Sequence, residues 1–147
     1  MNCCILMAFN DSSSSLKALT YLTGIFSCPQ DCVVTLLHVF RNPTGSEELM
    51  GRKFMQGAPA KIQEAMEKAR QKLVEAGFRR ENIILQLVET PFLTEAEGII
   101  DQFRKGDYNL VVIGRKRMSK AEEFVVGDTS IRLVRALEGT AVLVVKE

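Results

Sequence analysis

Few residues in this chain have types and spacing suited to chemistry. His38 is the only histidine, and it stands inside the apolar run Cys32 to Phe40 with no metal-ligand partner at recognisable spacing. It reads as a structural histidine, satisfied within the fold. The cysteines are Cys3, Cys4, Cys28 and Cys32. Neighbouring strand residues point to opposite faces, so Cys3 and Cys4 cannot grip one metal, and Cys28-x-x-x-Cys32 lacks the C-x-x-C spacing of a redox pair. They read as reduced thiols, and no metal site is expected.

The standard phosphate-binding and nucleophile loops are missing. There is no G-x-x-x-x-G-K-[ST], no G-x-G-x-x-G after the first apolar run and no G-x-S-x-G, which disfavours a Walker NTPase, a dinucleotide enzyme and an α/β-hydrolase. One glycine-spaced segment remains, Gly114 to Gly127, opening on Arg115-Lys116-Arg117 and followed by Asp128 and Ser130. As a nucleic-acid site that basic run lacks interleaved aromatics. With 19 Lys+Arg against 18 Asp+Glu the chain has a net charge of +1, so it offers no broad positive field for a phosphate backbone. Without a nucleophile–base pair, an enzymatic mechanism has little to stand on.

The elements that must position this segment follow from the apolar pattern. At 147 residues, 46% apolar, the chain is long enough for one domain with its own core. Residues 3 to 9 form a short apolar run. Asn10-Asp11 and four serines come next, then Ala18, Leu19, Leu22, Ile25 and Phe26 at helical spacing. That is strand, turn and helix, with the serines as caps. Cys32 to Phe40 is a second strand, apolar nearly throughout as expected when both faces are covered. Residues 41 to 57 read as a loop, in part helical. Ile62, Ala65, Met66, Ala69, Leu73 and Ala76 mark a helix face ended by Gly77. Asn82 to Glu89 is a third strand, and Thr94-x-x-Glu97 is a capping box opening a helix that ends at Gly106. Asn109 to Ile113 is a fourth strand ending at Gly114, residues 115 to 127 read as a loop, Ser130 to Leu137 as a helix and Ala141 to Val145 as a fifth strand.

Such alternation predicts a parallel sheet with helices on both faces and right-handed crossovers. Ligands then sit beyond the carboxyl ends of the strands, near Asn10 to Ser12, Val39 to Arg41 and Gly114 onward. The N-terminal apolar run is too short for a membrane span and lacks a basic flank, so a cytoplasmic location without membrane association is expected.

Four segments together resemble the universal stress protein family: Cys4-Ile5-Leu6-Met7-Ala8-Phe9-Asn10-Asp11-Ser12, Val34-Thr35-Leu36-Leu37-His38-Val39, Asn109-Leu110-Val111-Val112-Ile113-Gly114 and Thr140-Ala141-Val142-Leu143-Val144-Val145. The resemblance covers the whole chain. It implies five parallel strands in the order 3-2-1-4-5, an adenine nucleotide alpha hydrolase-like fold, homodimers and, in one branch, ATP bound through G-x-x-G-x(9)-G-[ST]. Gly114 and Gly127 match the outer glycines of that motif. Arg117 replaces the middle glycine and Asp128 the hydroxyl residue, while Ser130 matches a small hydroxyl two residues on. Asn10 stands where ATP-binding members carry an acid.

Glycine suits a phosphate loop because it permits positive φ and close approach of backbone N–H groups. Arg117 either fills the phosphate volume or swings outward as a charged fork, and a left-handed Arg backbone costs about 1–2 kcal/mol. A carboxylate at residue 128, about 4 Å from a phosphate, repels by about 4 kcal/mol at an effective dielectric near 20, unless it serves only to cap the next helix.

The expectation is a non-enzymatic stress-type regulator with weak or absent ATP binding. It would act through partner proteins and dimerise through the edge strand 141–145. The alternative is an ATP- or AMP-binding switch, with Mg and slow hydrolysis in the case of ATP. There Val39 faces the adenine, Asn10 the base or ribose, and Gly114, Arg117, Gly127 and Ser130 the phosphates.

Overall fold

In the computed structural model, which describes residues 3–41, 52–92, 94–126 and 128–147, strand β1 (Cys3–Ala8) lies at the centre of a five-stranded sheet. Its residues alternate between two cores, as the two-residue period of a strand demands. Ile5 and Met7 pack on one face with Leu19 and Leu22 of helix α1 (Ser13–Ile25) and Met66 and Leu73 of α2 (Arg52–Glu75). Leu6 and Ala8 pack on the other with Ile99 of α3 (Glu95–Lys105) and Leu133 of α5 (Thr129–Ala136). Coverage of both faces is why the strand reads as an unbroken apolar run rather than an alternating one.

Strands β2 (Cys32–Arg41), β3 (Ile83–Phe92), β4 (Leu110–Arg115) and β5 (Ala141–Lys146) complete the sheet in the order β3-β2-β1-β4-β5, every pair parallel. This is the architecture expected from the sequence. The order reverses between β1 and β4, so the crevice for a ligand lies where the carboxyl ends of those two strands diverge.

Strand β3 runs on past Glu89 to Phe92, and three further boundaries differ from the sequence reading in ways that have a local cause. Helix α2 starts at Arg52, inside the span read as loop, because Gly57 and Pro59 are poor helix formers and mask its first turns. Strand β4 does not stop at Gly114. It runs through Arg115, since Gly114 pairs with Val145 and Arg115 with Lys146. Residues 115 to 127, read as loop, contain helix α4 (Lys120–Val126), whose start is fixed by the Glu122 N–H donating to Ser119 Oγ at 3.2 Å. Ser119-x-x-Glu122 is the sequence signal for that helix, a capping pattern masked by the charged surroundings.

Candidate functional site

The floor of the crevice is held by His38 and Gly114. The Nδ1–H of His38 donates to the Phe9 carbonyl at 2.9 Å, fixing the end of β1 just before Asn10. Burial lowers the His38 pKa below its ordinary value, partly opposed by that same backbone bond, so the ring is neutral near pH 7. Gly114 lies against the first turn of α1. A Cβ added there would fall 2.1 Å from the Ser14 carbonyl oxygen. Absence of a side chain at this position therefore lets α1 abut β4, a packing requirement distinct from phosphate contact.

Asn10 and the serines are occupied with one another. Asn10 Oδ1 accepts from Ser15 Oγ at 2.7 Å and from the Ser12 N–H at 3.2 Å. Ser12 caps α1 by accepting from the Ser15 N–H at 3.2 Å. Asp11, between them, is the only non-glycine at positive φ among the described residues, at 57°. Aspartate tolerates this left-handed backbone better than most residues. Arg117 is not at positive φ, so the cost of a left-handed Arg backbone does not arise. Arg117 itself is exposed on the segment joining β4 to α4, in keeping with the outward of its two expected positions. Val39 is buried against α3, its methyls so close to Gly98 that an added Cβ there would come within 2.5 Å. Gly127 lies outside the described residues.

Asp128 and Ser130 form the other wall. Asp128 is the N-cap of α5: its Oδ1 accepts from the Ser130 N–H at 3.0 Å, from Ser130 Oγ at 2.5 Å and from the Ile131 N–H at 3.4 Å. The other carboxylate oxygen faces Arg115 Nη2 at 2.8 Å, with an alignment outside that of a hydrogen bond. Burial works against a charge on Asp128, yet the bonds from Ser130 and Ile131 and the nearby Arg115 outweigh it, holding the carboxyl below its ordinary pKa. Asp128 is ionised at neutral pH.

Arg115, in the sequence one member of a basic run with Lys116 and Arg117 that could offset the charge of Asp128, is the cation that the structure sets against it. The same Nη2 that meets Asp128 also pairs with Glu123 of α4, and its Nε is buried without a hydrogen bond. One guanidinium thus ties the end of β4 to α4 and to the start of α5. The repulsion expected between Asp128 and a phosphate is therefore partly cancelled by a neighbouring cation, and that cation is already engaged. Among the described residues no group of three His, Cys, Asp or Glu side chains converges as a metal site, and no helix is long and apolar enough to cross a membrane.

The family model for universal stress proteins matches residues 1–146. The chain belongs to the universal stress protein family. Among solved structures, universal stress protein UspA from Lactobacillus plantarum is similar, with 16% identity and a TM-score of 0.70, over 98% of this chain and 97% of that one. A universal stress protein in complex with cAMP gives 15% identity and a TM-score of 0.69, over 97% and 95%. The universal stress protein from Archaeoglobus fulgidus gives 16% and 0.67, over 99% and 100%. At these identities the solved universal stress proteins support the shared fold. No curated protein sequence gives a significant match.

Proposed function

We propose that the protein is a non-enzymatic regulator of the universal stress type, acting as a dimer and through partner proteins, whose cleft holds ATP weakly or not at all. The observation that carries this reading is the ion-paired cap of α5: the Asp128 carboxylate stands where family ATP binders offer a neutral hydroxyl, and Arg115 is committed to it. A triphosphate entering there meets a fixed negative charge and must compete for the compensating cation.

Dimerisation is supported by the sheet edge. Strand β5 hydrogen-bonds to β4 on one side and closes the strand order on the other, and an apolar edge without proline favours pairing with a second copy. The helices packed against β5 on its two faces, α1 and α5, carry exposed Tyr21 and Ile25, and Ile131 and Val134. Sedimentation equilibrium is expected to give about twice the chain mass of 16.4 kDa. A monomer at micromolar concentration would remove the dimer from this reading.

A second reading is an adenine-nucleotide switch. It is favoured by the cancellation of Asp128's charge by Arg115, and by a neighbour of the same fold that binds cAMP. The absorbance ratio at 260 and 280 nm separates the two readings, because the chain has no tryptophan and two tyrosines, so carried nucleotide stands out. Protein free of nucleotide as purified supports the first reading, and a nucleotide spectrum the second.

A further inference from the structure

Of the two carboxylates on Arg115, one is fixed and one is exchangeable. The Asp128 side chain is 5% exposed and accepts three hydrogen bonds in addition to its ion pair with Arg115. Glu123 is 32% exposed, sits on the seven-residue helix α4, and has Arg115 as its ion-pair partner. Arg115 itself is 24% exposed and keeps one donor, Nε, without a hydrogen bond, so its planar fork is incompletely used. A phosphate oxygen pair matches the fork geometry of a carboxylate and carries negative charge at least as large.

We propose that Glu123 is an internal anion seated on the recognition cation of the cleft, Arg115. A ligand bearing a single phosphate group binds by displacing Glu123, whereas a triphosphate is turned away by the fixed Asp128 carboxylate. The inference rests on the nucleotide reading of the cleft and names its ligand class. One guanidinium shared with a resident carboxylate compensates one phosphate group and no more. Lys116, Arg117 and Lys120 are exposed, so their help to a longer phosphate tail is screened by salt. Displacement of Glu123 also frees α4 from its tie to β4. That helix carries Phe124, 91% exposed, which makes it a suitable place to watch the release.

The test is calorimetric titration of the full chain with AMP, with ATP and with inorganic phosphate, in wild type, Glu123→Gln and Asp128→Asn. Asparagine is as good an N-cap as aspartate, so Asp128→Asn removes charge while keeping α5 capped. The wild type is expected to bind AMP more tightly than ATP. Glu123→Gln is expected to raise affinity for AMP and phosphate about two- to fivefold, the range for a partly exposed ion pair. Asp128→Asn is expected to favour ATP more than AMP. Phe124→Trp, the sole tryptophan in such a variant, is expected to lose fluorescence anisotropy when AMP binds. Wild type preferring ATP, or Glu123→Gln leaving AMP affinity unchanged, would overturn the inference. Absence of binding of all three probes to every variant would overturn it too, and would leave the dimeric regulator standing. Tight ATP binding by wild type would overturn both.

Discussion

Gly114 and Ser14 are in backbone contact across the crevice: a Cβ on Gly114 would sit 2.1 Å from the Ser14 carbonyl oxygen and 2.9 Å from the Ser15 nitrogen. The first glycine of the family's loop motif therefore does structural work here, independent of any ligand. Gly114→Ala must push α1 off β4, and the expected loss is about 1–3 kcal/mol of unfolding free energy, the usual range for overpacking. Urea titration measures it directly. Unchanged stability would mean that α1 is free to recede from the sheet.

The pH dependence of stability has a separable contribution from His38. Burial lowers its folded pKa, so on acidification the unfolded chain takes up this proton before the folded one does. The stabilisation is complete above the unfolded value of about 6.5 and is lost as pH falls through the lower folded value. Melting curves between pH 8 and 5 are expected to show this decline, and His38→Asn to flatten it. A wild type equally stable across that window would contradict the neutral, hydrogen-bonded ring.

Asp128 acts in a lower window. Its folded pKa is depressed, so its contribution is present above the ordinary carboxyl value and is lost as pH falls through the folded one. Asp128→Ala removes the α5 cap and leaves Arg115 with Glu123 alone, for an expected cost of about 1–2 kcal/mol at pH 7. Asp128→Asn is expected to cost less than half as much. Equal losses in the two variants would show that charge, not capping, is what α5 needs.

The thiols are expected to differ sharply in reactivity. Burial first, then the neighbouring Cys3 thiol, push the Cys32 pKa up to about 12, whereas Cys28 is exposed. Since the thiolate is the reactive form, a disulfide reagent at pH 8 should modify Cys28 rapidly and reach Cys32 only on unfolding. Fast modification of Cys32 in the native protein would mean that the N-terminal end of β2 opens readily.

The sheet was legible in the sequence because burial on both faces writes strands as plain apolar runs, and the capping box Thr94-x-x-Glu97 is formed as spelled, with the Glu97 N–H donating to Thr94 Oγ1 at 3.2 Å. The wall of the crevice was only half legible. Asp128 was readable as a cap, since a polar residue before an amphipathic helix has that default use. Its ion pair was not, because Arg115 reaches Asp128 across thirteen residues of sequence and no local spacing rule links them. Helix α4 was hidden for a related reason. Seven residues with charges at their start show too little apolar period to announce a helix, and the cap at Ser119 is the one local clue.

Exclusion of a triphosphate by the resident charges around α5 is checked by thermal melting with and without 1 mM Mg-ATP. A ligand at about 100 times its Kd stabilises by about 2.7 kcal/mol, which for a domain of this size is a shift of at least about 5 °C. Wild type is expected to show no shift, and Asp128→Ser combined with Arg117→Gly to gain one. A shift of that size in the unmodified protein would show that Asp128 and its neighbours do not keep a triphosphate out.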